Sequence, residues 1–139
     1  MLKGIKQTDV SLLPSIQKYG CLFLCFAECS PYVFSEETGR FALNYLWSKA
    51  KEENIISAND VLLDHNSLAK LFNLKVKYDN THHKAEEEIP SKVKMVIGEY
   101  HYKYSHFVVL NKSKEVIFDS YGISNTVKHG KLRTMRFYS

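Results

Sequence analysis

No stretch of the sequence approaches the roughly 18 consecutive apolar residues that a membrane-spanning helix needs, so no membrane partner is expected. Residues 1–20 carry Lys3 and Lys6 but lack an apolar core followed by a small-residue cleavage site, which points to a cytoplasmic address. Proline and glycine are sparse, at 3 and 6, and this excludes collagen-like and low-complexity chains. With 45% hydrophobic and 24% charged residues the chain is not disordered, and its 139 residues suit one globular domain, 1–139. Cysteine is scarce too. The 3 cysteines all fall within Cys21–Cys29 and cannot close into pairs, so a secreted disulfide framework is excluded and either thiol chemistry or simple burial remains. No glycine-rich phosphate loop is present, and no cofactor is expected.

The formal charge of +4 is mild but unevenly placed. Residues 112–139 hold Lys112, Lys114, Lys128, Lys131, Arg133 and Arg136 against only Glu115 and Asp119, while acids and bases balance before them. Such an end could attract an acidic partner, but strand faces exposed to water account for it, and no nucleic acid is expected.

Cys21–Cys29 contains one charge and no helix breaker, with Gly20 before it and Ser30-Pro31 after it, and reads as a short buried helix. A second helix is expected over residues 38–53, with Phe41, Tyr45, Leu46 and the Lys49 stem on one face and Asn54 at the end. A third is expected over 64–72, where Leu68, Leu71 and Phe72 recur at helical spacing and Asn73 supplies a stop. Strand signals follow at 74–78, 93–97, 107–110, 116–118 and 134–138, with polar turns between them. Residues 79–90 are polar and aperiodic, as in a surface loop. Helices first and strands second predict an α+β domain with N-terminal helices packed on a C-terminal antiparallel sheet.

Three residues in this arrangement could cooperate in chemistry. Cys21 begins the buried helix, where unpaired backbone N–H groups and the positive end of the dipole suit an anionic sulfur. His106 heads the strand ending in Leu110, and Asp119 closes the next strand across the turn at 111–114, so a hairpin would bring the two together. A nucleophilic cysteine needs an imidazole to take its proton and return it to the leaving group, and a carboxylate on the second ring nitrogen fixes the tautomer. Each residue also has an ordinary role available: a buried thiol, a strand-end histidine, a turn-forming aspartate ahead of Ser120-Tyr-Gly122.

Gln17-Lys-Tyr-Gly-Cys21, His106-Phe-Val-Val-Leu110 and Ile117-Phe-Asp119 together resemble the papain-like cysteine peptidase superfamily. The likeness is nearest to the peptidase domains that cut double-glycine leaders from bacteriocin precursors, and to small phage- or plasmid-encoded relatives. The resemblance implies a papain-like fold with Cys21 as nucleophile, His106 as general base and acid, and Asp119 as orienting group. Gln17, with three residues between it and Cys21, would be the side-chain donor of an oxyanion hole. The substrate would be a peptide or a related amide, cleaved through a thioester. The alternative is a catalytically inactive interaction module of the same fold.

Other constellations carry less. Cys21, Cys25 and Cys29 share a helical stripe, but about 12 Å of helix separates the outer two, and zinc holds sulfur at about 2.3 Å. Cys25 and Cys29 are therefore expected in the core. His82-His83 beside Glu86 are read as solvated histidines, His101 as part of the aromatic turn at 100–104, and His65 and His129 as residues without a partner in the local sequence.

Overall fold

The computed structural model describes residues 1–139, which form two compact units, Met1–Lys75 and Val76–Ser139. The first unit is helical: α1 (Pro14–Tyr19), α2 (Cys21–Cys29), α3 (Gly39–Glu52) and α4 (His65–Leu71). The second holds strands β1 (His83–Lys84), β2 (Met95–His101), β3 (Ser105–Leu110), β4 (Val116–Phe118) and β5 (Lys131–Tyr138), with α5 (Asn125–His129) inserted before β5. The α+β class and the division of helices before strands are as the sequence predicts.

Local chemistry sets the helix ends. Asp64 caps α4 by accepting from the Ser67 N–H at 3.0 Å. Asn54 and Asn73 follow α3 and α4 with φ of 58° and 55°, the left-handed conformation that asparagine tolerates. There the next residues return their N–H groups to the helices, Ile55 to Ala50 and Leu74 to Ala69, each at 2.8 Å. The buried aromatic centre joins three elements: Phe23 of α2 meets Trp47 edge-on at 5.1 Å and Phe72 at 5.0 Å.

The face that α3 buries is not the expected one. Leu43, Trp47 and Ala50 are buried, whereas Phe41 is 75% and Tyr45 64% exposed. Two apolar stripes compete on this helix, and the one containing its tryptophan and the small Ala50 goes inward.

The sheet runs β1-β5-β2-β3-β4, antiparallel throughout. Val96, Val108, Leu110, Met135 and Phe137 form the buried cluster on one face, with Val127 of α5 packed against it. The strand expected at 74–78 does not form. Instead Lys77 exchanges backbone hydrogen bonds with Ser139, and Tyr78 makes an isolated bridge to Tyr138, before the chain bulges out at Asn80 (φ 59°) and returns as β1 beside Thr134 and Met135. The edge of β5 is thus covered in two pieces, and the 79–90 loop contributes one of them. Among the basic residues of the chain end, Arg136 is buried rather than solvated: it donates to Thr134 Oγ1, lies 3.7 Å from Glu99 Oε1 and sits over the Phe107 ring.

Candidate active site

In the helical unit, Cys21 is placed by a chain of polar contacts that starts on α3. Asn44 accepts from the Leu13 N–H and donates to the Ser11 carbonyl, both at 2.9 Å, and so fixes the loop leading into α1. Gln7, only 1% exposed, donates to the carbonyls of Ile16 and Gln17 at 3.2 and 3.1 Å, closing the far end of α1. Gly20 then turns the chain from α1 directly into α2. Its N–H reaches the Ile16 carbonyl at 2.8 Å, and a Cβ there would lie 2.5 Å from that oxygen. Cys21 follows as the first residue of α2, half-buried, with a backbone N–H that the helix itself leaves without an acceptor.

None of the three cysteines forms a disulfide, and their settings differ. Cys25 is wholly buried. Burial, followed by the neighbouring Glu28 charge, pushes the Cys29 thiol up to about 12, so that it remains protonated at physiological pH. Cys25 has the expected core position, whereas Cys29, at the end of α2, is only half-buried. The Gln17 amide donates to the Leu12 carbonyl at 2.7 Å, which commits one of its two N–H groups to the start of α1.

In the sheet unit, the expected hairpin brings His106 and Asp119 together. His106 Nε2 lies 2.8 Å from Asp119 Oδ1, with the side chains 5% and 3% exposed. The carboxylate is held by the turn that follows it: Oδ1 accepts from the Tyr121 N–H at 3.0 Å and Oδ2 from the Ser124 N–H at 2.9 Å. Burial works to raise the Asp119 pKa, but the hydrogen bonds from His106, Ser124 and Tyr121 outweigh it and hold the carboxyl at about 2. Asp119 is therefore an anion at physiological pH. An anionic oxygen can only accept, so Nε2 carries the shared proton, and in the neutral tautomer of such a ring the lone pair belongs to Nδ1. Tyr121 stacks on the imidazole with ring centroids 4.9 Å apart. Ser124 also caps α5, its Oγ accepting from Val127 N–H at 3.2 Å.

Tyr121, Ser124 and Gln7 are the supports that sequence reasoning misses. The turn signal Ser120-Tyr-Gly122 was visible, but a turn's backbone N–H groups cannot be seen to converge on one carboxylate before the chain is folded.

A family model described as "Protein of unknown function, DUF261" matches residues 1–139. The chain belongs to the DUF261 family. No curated protein and no solved structure matches it. The remaining chemistry-bearing residues of this DUF261 chain are placed as follows. No group of three His, Cys, Asp or Glu side chains is arranged to hold a metal ion, and no helix is long and apolar enough to cross a membrane. His65 opens α4, its ring 6.4 Å from Phe26, and His101 ends β2. His83 departs from the expected solvated histidine. It stacks on Phe137 at 3.9 Å between Asp79 and Glu87, whose carboxylates lie 2.6 and 2.7 Å from Nε2 and Nδ1. The partners are four residues away on either side, a spacing that becomes a clamp once the loop folds over the β5 edge.

Proposed function

We propose that this DUF261 protein is a cysteine hydrolase of papain-like architecture, cleaving a peptide or related amide with Cys21 as nucleophile, His106 as proton carrier and Asp119 as orienting anion. The observation that carries the reading is the buried His106–Asp119 pair, in which Nε2 is tied to an ionised carboxylate and the ring is held in one orientation. Surface decoration does not need a carboxylate held by three donors. A base that must gain and lose a proton without changing orientation does. Cys21 is the matching nucleophile because, of the three thiols, it heads α2, whereas Cys25 is sealed in the core and Cys29 is held protonated. The absence of a disulfide among the three cysteines accords with a cytoplasmic protein.

In the reaction, the Cys21 Sγ proton passes to His106 Nδ1 and the sulfur attacks the amide carbonyl carbon. The backbone N–H of Cys21 and the remaining Gln17 N–H are the donors assigned to the oxyanion. Collapse breaks the C–N bond as the imidazolium gives its proton to the leaving amine, leaving a thioester on Cys21. Water then attacks that carbonyl, loses a proton to His106, and the thioester breaks to a carboxylic acid and the restored thiol.

The test is alkylation by iodoacetamide at pH 6, where an ordinary thiol with a pKa of about 8.5 is almost unreactive. Cys21 should be modified ahead of Cys25 and Cys29, and His106→Gln should slow that modification at least tenfold. Uniformly slow labelling, indifferent to His106, would instead favour the inactive interaction module.

A further inference from the structure

At the end of the sheet where β3 begins, β2 and β5 enclose an open cavity of about 410 Å³ in which no carboxylate is a lining group. Its lining residues include Lys131, Arg133, His101, His129 and Tyr102. We infer that this groove binds an acidic side chain of the substrate and thereby sets which peptides the proposed hydrolase accepts; the inference rests on that functional reading for its substrate class.

The groove is built rather than incidental. A Cβ on Gly130 would lie 2.3 Å from the Thr126 carbonyl oxygen and 2.5 Å from that of His101, so only glycine lets the start of β5 pass this close to the end of β2. On β5, Thr134 pairs with Glu99 and Leu132 with Tyr100, leaving Arg133 as the extra residue of a bulge. Bulges re-aim side chains, and here the re-aimed group is a guanidinium. The Tyr102 and His129 rings, 5.7 Å apart, form an aromatic wall, with the Lys103 ammonium over Tyr102.

Charge argues for an anion. From Ser120 to the last residue the sequence contains no Asp or Glu, and neither Lys131 nor Arg133 enters an ion pair within 4.0 Å. The acid that feels Arg133 is Glu99, which is already bonded to Thr134 Oγ1 and faces Arg136. Two permanent cations with no carboxylate in their groove give a positive site that a ligand carboxylate would neutralise.

Register places the groove close to the His106 row. His106 pairs with Tyr100, which pairs with Leu132; the next row is Ser105, His101 and Lys131. The groove therefore begins one residue beyond the His106 row and two strand spacings across the sheet, about 10 Å away.

The experiment uses the full chain with Cys21→Ala, which binds without turnover, and calorimetric titration with two blocked octapeptides, one of alternating Glu and Ala and one of alternating Gln and Ala. The Glu peptide should bind at least tenfold more tightly, and the preference should weaken as salt rises. Adding Lys131→Gln and Arg133→Gln should remove the preference while the unfolding midpoint stays unchanged. Equal affinity for the two peptides, or a preference that survives the double substitution, overturns the inference. So does tighter binding of a single-stranded oligonucleotide than of the Glu peptide at 0.15 M salt, which would make the groove a nucleic-acid site. Should Cys21 fail the alkylation test while the Glu peptide still binds through Lys131 and Arg133, the hydrolase reading falls and the acidic-peptide groove stands.

Discussion

Asp119 grips His106 by Nε2, not Nδ1, and does so with an oxygen that also accepts the Tyr121 N–H. The carboxylate therefore decides which ring nitrogen can act as a base. Asp119→Asn keeps the size and can present either an oxygen or an NH₂ to the ring, so the tautomer is no longer fixed. Cys21 alkylation at pH 6 should fall by roughly 10² or more, as losing an orienting carboxylate does in related triads. Asp119→Ala should show the same loss and unfold more easily, by about 2 to 3 kcal/mol, because two backbone N–H groups lose their acceptor. Chemical denaturation of the two variants separates the catalytic effect from the structural one.

The same carboxylate gives a pH signature. A group held at about 2 when folded and near 3.8 when unfolded contributes stability that is present above pH 4 and lost as pH falls through about 2. The magnitude is on the order of 2 kcal/mol. Urea unfolding at pH 5, 3 and 2 should show wild type and Asp119→Asn converging as pH falls. A gap between them that is constant across that range would mean the carboxyl is not held low.

Much of this arrangement was legible before folding because it depends on local signals. Asn54 and Asn73 marked helix ends through backbone conformation, Cys21–Cys29 marked a buried helix through its lack of charge, and the polar turn at 111–114 marked the hairpin that joins His106 to Asp119. What was not legible depends on competition between distant segments. Phe41 and Tyr45 form as good an apolar stripe as Leu43 and Trp47, and only the packing partners Phe23 and Phe72 decide between them. His83 looked solvated because Phe137, its stacking partner, lies far along the chain. Arg136 looked like surface charge for the same reason: Glu99 and Phe107 reach it only through strand pairing.

His83 should titrate above an ordinary imidazole. Burial opposes its protonation, but the hydrogen bonds and charges of Asp79 and Glu87 raise its pKa. The sign follows directly: the clamp's contribution to stability is complete below pH 6.5 and is lost as pH rises through the elevated value. Proton NMR of the imidazole should give a midpoint that drops when Asp79→Asn and Glu87→Gln are combined. An unchanged midpoint would show that the carboxylates do not hold the ring in solution.

Substitutions on α3 test which of its two stripes is the core. Leu43 is fully buried, so Leu43→Ala should cost about 2 to 5 kcal/mol through lost burial and the cavity left behind. Phe41→Ser and Tyr45→Ser remove larger side chains but from exposed positions, and each should change stability by under about 0.5 kcal/mol. Trp47→Phe is the informative intermediate. It removes volume beside Phe23, yet it also removes the one buried side-chain nitrogen left without a hydrogen-bond partner, the indole Nε1. Relief of that unsatisfied donor is worth about 1 to 3 kcal/mol, so the loss should be well below the 3 to 5 kcal/mol typical of truncating a core tryptophan to alanine. Urea denaturation of the four variants orders them: Leu43→Ala the least stable, Trp47→Phe between, and the two serine variants near wild type. If Phe41→Ser proves as damaging as Leu43→Ala, α3 is rotated relative to this structure and its aromatic stripe is the buried one.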